Sequence, residues 1–394
     1  MLLFLRNNVY FILSILSFLN CESIDVSSNS FKKDLDLLNE QTEPIILKSN
    51  GGQCQLIVVP EFQGRVMTST SNGLLGSSYG WINDNLISSG EIQSHINAYG
   101  GEDRFWLGPE GGQFSIFFEQ GNPFDLDHWQ TPASIDTEPF RLDSFSNKYA
   151  KLSKHLNLVN YSGYQFKLKV DRKVTIFNRS EIEKNLNITI EGTLFVGFQS
   201  DNKITNLGQN SWRKKTGLLS IWILGMFKPS DGTWVIIPYK NDLNLNTSYF
   251  GAVPEDKIKV TDHVVLFKGD GKSRSKIGLP PKNSLPIMGS FDPAKKVLTI
   301  VQFSLSDDQD YVNSLWKIQK EPYKGDVINS YNDGPIENGN QIGPFYELES
   351  SSSAKELYPG ESIKHFHSTY HFEGDFKTLN YLSKQLLGFD LSEI

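Results

Sequence analysis

The sequence predicts an all-β chain, a large antiparallel sandwich with few short helices, and three observations predict it. Short runs with apolar residues at every second position recur along most of the chain, separated by turn residues such as Ser71-Asn72-Gly73, Gly269-Asp270-Gly271 and Asn332-Asp333-Gly334. Aromatic residues make up 12% of the chain and 32 glycines are spread through it, a balance suited to pleated surfaces and tight turns. Helical patterns do not alternate with the strand-like runs, which sets aside a parallel βαβ architecture.

In order along the chain, Arg6 precedes an apolar run from Val9 to Leu19, the pattern of an export signal. About ten residues is half of the roughly twenty that span a bilayer. The run ends at Phe18-Leu19-Asn20-Cys21, which resembles the lipobox of bacterial lipoproteins except that Asn20 stands where a small residue is expected. Lipid on Cys21 is the expectation and a plain secretory cut the alternative, so the protein is expected outside the cytoplasm, anchored in a bacterial envelope or periplasmic. Residues 22–45 read as a polar tether ending in a short helical pattern at Leu35, Leu37 and Leu38, and 46–394 as one β-sandwich domain. With Cys21 lipidated or removed, Cys54 has no disulfide partner and reads as a small buried hydrophobe. Four glycosylation sequons, at Asn160, Asn178, Asn187 and Asn246, read as chance matches in an Asn- and Ser-rich chain.

The strand-like runs are Leu56–Val59, Phe114–Phe118, Lys167–Val170, Leu186–Glu191, Thr193–Phe198, Trp234–Pro238, His263–Phe267, Val297–Phe303 and Tyr346–Leu348. Two helices are expected. One starts at Asp307 and carries Val312, Leu315 and Trp316; the other is capped by Asp375, carries Phe376, Leu379, Leu382 and Leu386, and stops at Gly388. Acidic residues outnumber basic ones 45 to 38 and no basic run stands out, which excludes nucleic acid as a partner.

The densest chemistry lies in Asn97-Ala98-Tyr99-Gly100-Gly101-Glu102-Asp103-Arg104-Phe105-Trp106-Leu107-Gly108-Pro109-Glu110-Gly111-Gly112. Glycines allow close backbone approach, Trp106 offers a flat apolar face, and Glu102, Asp103, Arg104 and Glu110 offer forks for hydroxyls. The alternative is a tight loop whose charges pair with one another. Together with Pro60-Glu61-Phe62-Gln63-Gly64-Arg65 upstream, this segment resembles the galactose mutarotase-like superfamily, in its exported and uncharacterised bacterial branch. The resemblance covers most of residues 50–375 and implies a β-supersandwich with a sugar cleft.

For that cleft the resemblance implies a mono- or oligosaccharide partner, no cofactor, and a late-strand Glu as base. Glu349 fits best and Glu347 second; period two puts both on one face with Phe345, against Tyr346 and Leu348 on the other. The superfamily's mid-chain catalytic His has no counterpart in residues 195–230, and His128, flanked by Asp125 and Asp127, is the available acid. Arg65, Glu102, Asp103, Arg104, Trp106, Glu110, Asn329, Asn332 and Asp333 are the expected sugar contacts. Trp222 reads as core packing and Trp212 as a rim contact. His365, His367 and His371 share a strand face and read as polar packing rather than as a metal site. The sequence thus leaves open an aldose 1-epimerase-like enzyme, a sugar-binding lipoprotein without turnover, and an envelope scaffold.

Overall fold

The computed structural model describes residues 29–336 and 339–394, and its registered strand pairs are all antiparallel. The largest sheet has ten strands, in the order Ile258–Val260, Val264–Lys268, Trp234–Pro238, Ile287–Asp292, Val297–Phe303, Ser362–Gly374, Thr193–Asn206, Gln165–Ile176, Tyr149–Val159 and Arg141–Phe145. A five-stranded sheet runs Ser275–Leu279, Ile328–Asn332, Tyr346–Ser351, Ser220–Phe227 and Arg104–Gly108, and a three-stranded one runs Ile45–Ser49, Cys54–Val59 and Arg65–Thr70. This is the expected all-β sandwich.

The period-two pattern does the sorting. Along Gln165–Ile176 the alternate residues Phe166, Leu168, Val170, Arg172, Val174 and Ile176 are buried, while Lys167 and Lys169 face water or the groove edge. The five-stranded sheet has no wet face: every residue of its strands is buried. One side packs into the apolar core and the other is roofed by loops, which is where the site lies.

The helices are covers. Ser30 caps Phe31–Gln41, which buries Phe31, Leu35 and Leu38 against Ile57, Val59 and Met67. The folded body therefore begins before residue 46: an amphipathic stripe of this kind docks rather than trailing as a tether. Asp375 caps Phe376–Leu387 through Thr378 N and Gly388 ends it at φ 65°, as its spacing predicts.

Three local expectations are corrected. Phe114–Phe118 is a turn, not a strand; Ile116, Phe117 and Phe118 are all buried, a packed loop whose apolar run mimics a buried strand. Leu186–Glu191 is not a strand either, because a helix Arg179–Leu186, set by the Asn178–Glu181 capping box, ends at Asn187 in the left-handed region. Asp307–Trp316 forms no helix; Asp308 and Asp310 pair with Lys355 and Lys214, and Tyr311 bridges to Lys324. The signal-like run and Cys21 lie outside the described residues. Cys54 is buried, 3.1 Å from Phe195 O, and burial pushes its thiol up to about 11. Among the described residues no helix is long and apolar enough to cross a membrane.

Of three consecutive charges, two tie the sheets together and the third pairs within the five-stranded sheet. Glu102 accepts from Ser69 N and Oγ on the three-stranded sheet, and faces His371 Nε2 on the ten-stranded sheet at 2.8 Å. Asp103 accepts from Arg172 Nη2 at 2.6 Å, and Arg172 also donates to Gly64 O and Asn202 Oδ1. Arg104 pairs with Glu347 on the five-stranded sheet at 2.9 Å. Both side chains of the Arg172–Asp103 pair are wholly buried. Removing one partner leaves a dry, unpaired charge, so Arg172→Met should cost about 3–5 kcal/mol in urea unfolding. The exposed pair Lys32–Asp36 should give less than about 1 kcal/mol when Lys32 is truncated. Equal small losses from both would show that the buried pair does not hold the sheets.

Candidate functional site

Cross-strand register assembles the roofed face of the five-stranded sheet. One row runs Arg104, Leu224, Glu349, Asn329 and Gly278; the next runs Met226, Glu347, Tyr331 and Lys276; Trp106 faces Trp222 in a third. Gly278 is obligatory here, because a Cβ would lie 2.3 Å from Asp326 Oδ2. Loops supply the roof with Glu110, Trp129, Phe250 and Trp316, and Leu126 and Ile342 stand exposed at the mouth. Between floor and roof is a cavity of about 90 Å³.

The walls are aromatic. Trp129 stacks on Trp316 at 5.8 Å between centroids, and Trp106 meets Trp222 edge-on at 5.5 Å. The Arg104 guanidinium lies 4.1 Å above the Trp106 ring.

The charges alternate across the floor. Lys276 Nζ and Trp222 Nε1 both donate to Glu349 Oε2 at 2.9 Å. Burial alone would lower the Lys276 ammonium; the carboxylates of Glu349, Glu110 and Glu347 reverse that and raise it. Burial raises Glu347 well above the ordinary carboxylate range against the pull of Arg104, with Glu349 adding to the rise. Burial raises Glu110 as well, with Glu349 adding to it and Lys276 opposing. Four polar atoms in or just behind these walls are buried without a protein partner: Trp106 Nε1, Trp129 Nε1, Arg104 Nε and Glu349 Oε1. Glu349 itself is fully buried behind the lining of Trp222, Leu224 and Lys276.

Of the residues expected from sequence, the structure brings Arg104, Trp106, Glu110 and Glu347 to the cavity wall, with Glu349 and Asn329 adjoining on the same sheet face. The others it places elsewhere. Arg65 is buried on Gly100 O and Gln63 Oε1, and Glu102 and Asp103 form the inter-sheet ties, so their expected role as sugar contacts is corrected. Asn332 anchors the turn through Asp270 and Ser273, and Asp333 accepts from Tyr331 Oη and Gly343 N. His128 sits half-exposed on Asp125 Oδ1, on the loop that lends Leu126 and Trp129 to the roof, and is not a cavity residue. The rings of His365 and His367 meet the Ser350 hydroxyl, and His371 lies between Glu102 and Thr299. Trp222, read as core, belongs to the core cluster and also lines the cavity, whereas Trp212, read as a rim contact, is buried in the core.

Sequence reasoning missed Arg274, Lys276, Trp129, Trp316 and Tyr331. The one available signal was Lys276, a single charge inside the otherwise apolar, Gly-containing strand Ser275–Leu279.

One protein-family model matches residues 29–394, the whole described body. The chain belongs to DUF6786, a family of unknown function. No curated protein matches it. Among solved structures, this DUF6786 chain is similar to the Escherichia coli K12 protein described as a putative aldose 1-epimerase, at 11% identity and TM-score 0.51 over 84% of this chain and 99% of the other. It is also similar to the Slr1438 protein of Synechocystis sp. PCC 6803, at 12% identity and TM-score 0.50 over 84% and 96% of the two chains. A galactose mutarotase-like protein from Lactobacillus casei aligns at 11% identity and TM-score 0.46, over 84% and 100%. The fold of the DUF6786 chain is the galactose mutarotase-like one.

The raised Glu347 carboxyl makes stability depend on pH with a definite sign. Above its ordinary value of 4.5 the unfolded chain releases this proton while the folded chain keeps it, so the folded state loses ground as pH rises toward the folded value. The melting temperature of the native protein should therefore fall relative to Glu347→Gln as pH is raised from about 4.5 into the neutral range. A difference that stays flat in differential scanning fluorimetry would show that this carboxyl is not raised.

Proposed function

We propose that this protein binds a sugar in the tryptophan-walled cavity on the five-stranded sheet. The observation that carries the reading is the set of buried, unpartnered polar atoms at an aromatic wall: two indole N–H groups, one guanidinium Nε and one carboxylate oxygen. Leaving each such atom dry and unpaired costs about 1–3 kcal/mol, and ring hydroxyls, which both donate and accept, suit those on the lining residues Trp106, Trp129 and Arg104. The aromatic lining of Trp106, Trp129, Trp222 and Trp316 suits the C–H groups of a pyranose. Similarity of fold to the aldose 1-epimerase-like structures supports the same reading. Solvent-side entry at Leu126 and Ile342 suits a ligand taken from outside. The export-signal pattern at residues 1–21 supports a protein working beyond the cytoplasmic membrane, tethered through lipid on Cys21.

A second reading, turnover, is favoured by one specific arrangement. Glu349 receives two donors on Oε2 and none on Oε1, while Glu110 and Glu347 are raised and so suited to donate a proton. Proton removal from an anomeric hydroxyl with protonation of the ring oxygen needs one such base and one such acid.

Trp106→Phe keeps the aromatic wall and deletes one N–H. It should weaken monosaccharide binding by about 5–30-fold in isothermal titration calorimetry, the equivalent of about 1–2 kcal/mol. Unchanged affinity, or no binding of any sugar by the native protein, overturns the sugar reading. For turnover, Glu349→Gln combined with Lys276→Met avoids an unpaired buried ammonium. Accelerated mutarotation of fresh monosaccharide that this double variant abolishes establishes the enzyme, and binding with no acceleration in the native protein establishes a binder.

A further inference from the structure

Three cations line the cavity, and two of them are occupied. Arg104 is paired with Glu347 and Lys276 with Glu349, each at 2.9 Å. Arg274 is different. Its guanidinium carbon lies 4.1 Å over the Phe250 ring and its Nε donates to Tyr331 Oη at 3.3 Å. Among the described residues no carboxylate lies within ion-pair distance of it; Glu110 feels its charge across the cavity without contact.

The fork is also held in place. Tyr331 Oη donates to Asp333 Oδ1 at 2.6 Å, and Asn332 Nδ2 donates to Ser273 O at 2.9 Å, which fixes the residue just before Arg274. Asn332 and Asp333 are thus positioning residues for the guanidinium. Stacking on Phe250 and the single bond from Nε leave both Nη groups for a ligand, in the planar geometry that meets two oxygens of one anionic group.

We propose that the sugar taken by this cavity is an acidic one, whose charged substituent, a uronate carboxylate or a sulfate ester, is gripped by the free fork of Arg274. The inference rests on the reading of the cavity as a sugar site and adds the substrate class. Burial raises Glu110, which tilts the cavity further toward positive charge and toward an anion. Among the described residues Arg274 is the one cavity cation with no carboxylate beside it, and a neutral sugar would leave it so.

The test is calorimetric titration of the native chain with D-glucuronate and D-galacturonate, their neutral parents D-glucose and D-galactose, and the 6-sulfated forms of both. At least about tenfold tighter binding of an acidic form is expected, the size of one charge-assisted bidentate contact. Arg274→Met keeps the apolar stem without the fork and should bring acidic and neutral forms to within about twofold of each other. Arg274→Lys should keep part of the preference for sulfate and lose more of it for carboxylate, which separates the two sources of charge. Unaltered melting temperatures check the folding of both variants, since Arg274 is only half-buried. Neutral sugars binding as well as acidic ones, or a preference that survives Arg274→Met, overturns the acidic substrate and leaves the sugar site standing. No binding of any of the six sugars overturns both.

Discussion

The rest of the structure depends on three successive charges, Glu102, Asp103 and Arg104, each committed to a different partner. Glu102 reaches the three-stranded sheet at Ser69 and the ten-stranded sheet at His371, Asp103 reaches Arg172, and Arg104 reaches Glu347. Backbone at this crossing is so close that a Cβ on Gly101 would lie 2.7 Å from Arg65 Cδ and one on Gly100 2.1 Å from Trp81 O. Both glycines also take positive φ. The strand Arg104–Gly108 is thereby fixed at the edge of the five-stranded sheet, and with it the wall that carries Arg104 and Trp106.

This explains which parts of the site were legible in the sequence. Period two along one strand is a local signal, and it correctly puts Glu347 and Glu349 on one face opposite Tyr346 and Leu348, which lie in the apolar core. Membership of a charged, glycine-rich segment is also visible, but the sequence looks the same whether a carboxylate meets a ligand or another sheet. Glu102 and Asp103 do the second, and Glu110 lines the cavity. Arg274 carries no local mark and Lys276 only that of a lone charge in its strand, because their meaning comes from cross-strand register with residues far along the chain, Lys276 opposite Tyr331 and Tyr331 opposite Glu347. Trp129 and Trp316 were equally hidden, for they sit on loops whose path is set by what they roof. The misplaced helix at Asp307–Trp316 has the same origin: its apolar residues face an aromatic roof rather than one side of a helix.

Floor and roof therefore have separate duties. The floor, made of paired charges on buried strands, is rigid and determines which chemistry the cavity offers. The roof is made of loop side chains at Leu126, Phe250, Trp316 and Ile342, and determines aperture and selectivity.

One topological feature bears on biosynthesis. The strand Ser362–Gly374 lies in the interior of the ten-stranded sheet, between Val297–Phe303 and Thr193–Asn206, although it is the last strand in sequence. While a ribosome is still making the chain, those two strands each show an unpaired edge, and nothing joins the two halves of the sheet. Closing this sheet waits for residue 374, and until it emerges the two open edges are exposed to chaperones and to edge-to-edge aggregation.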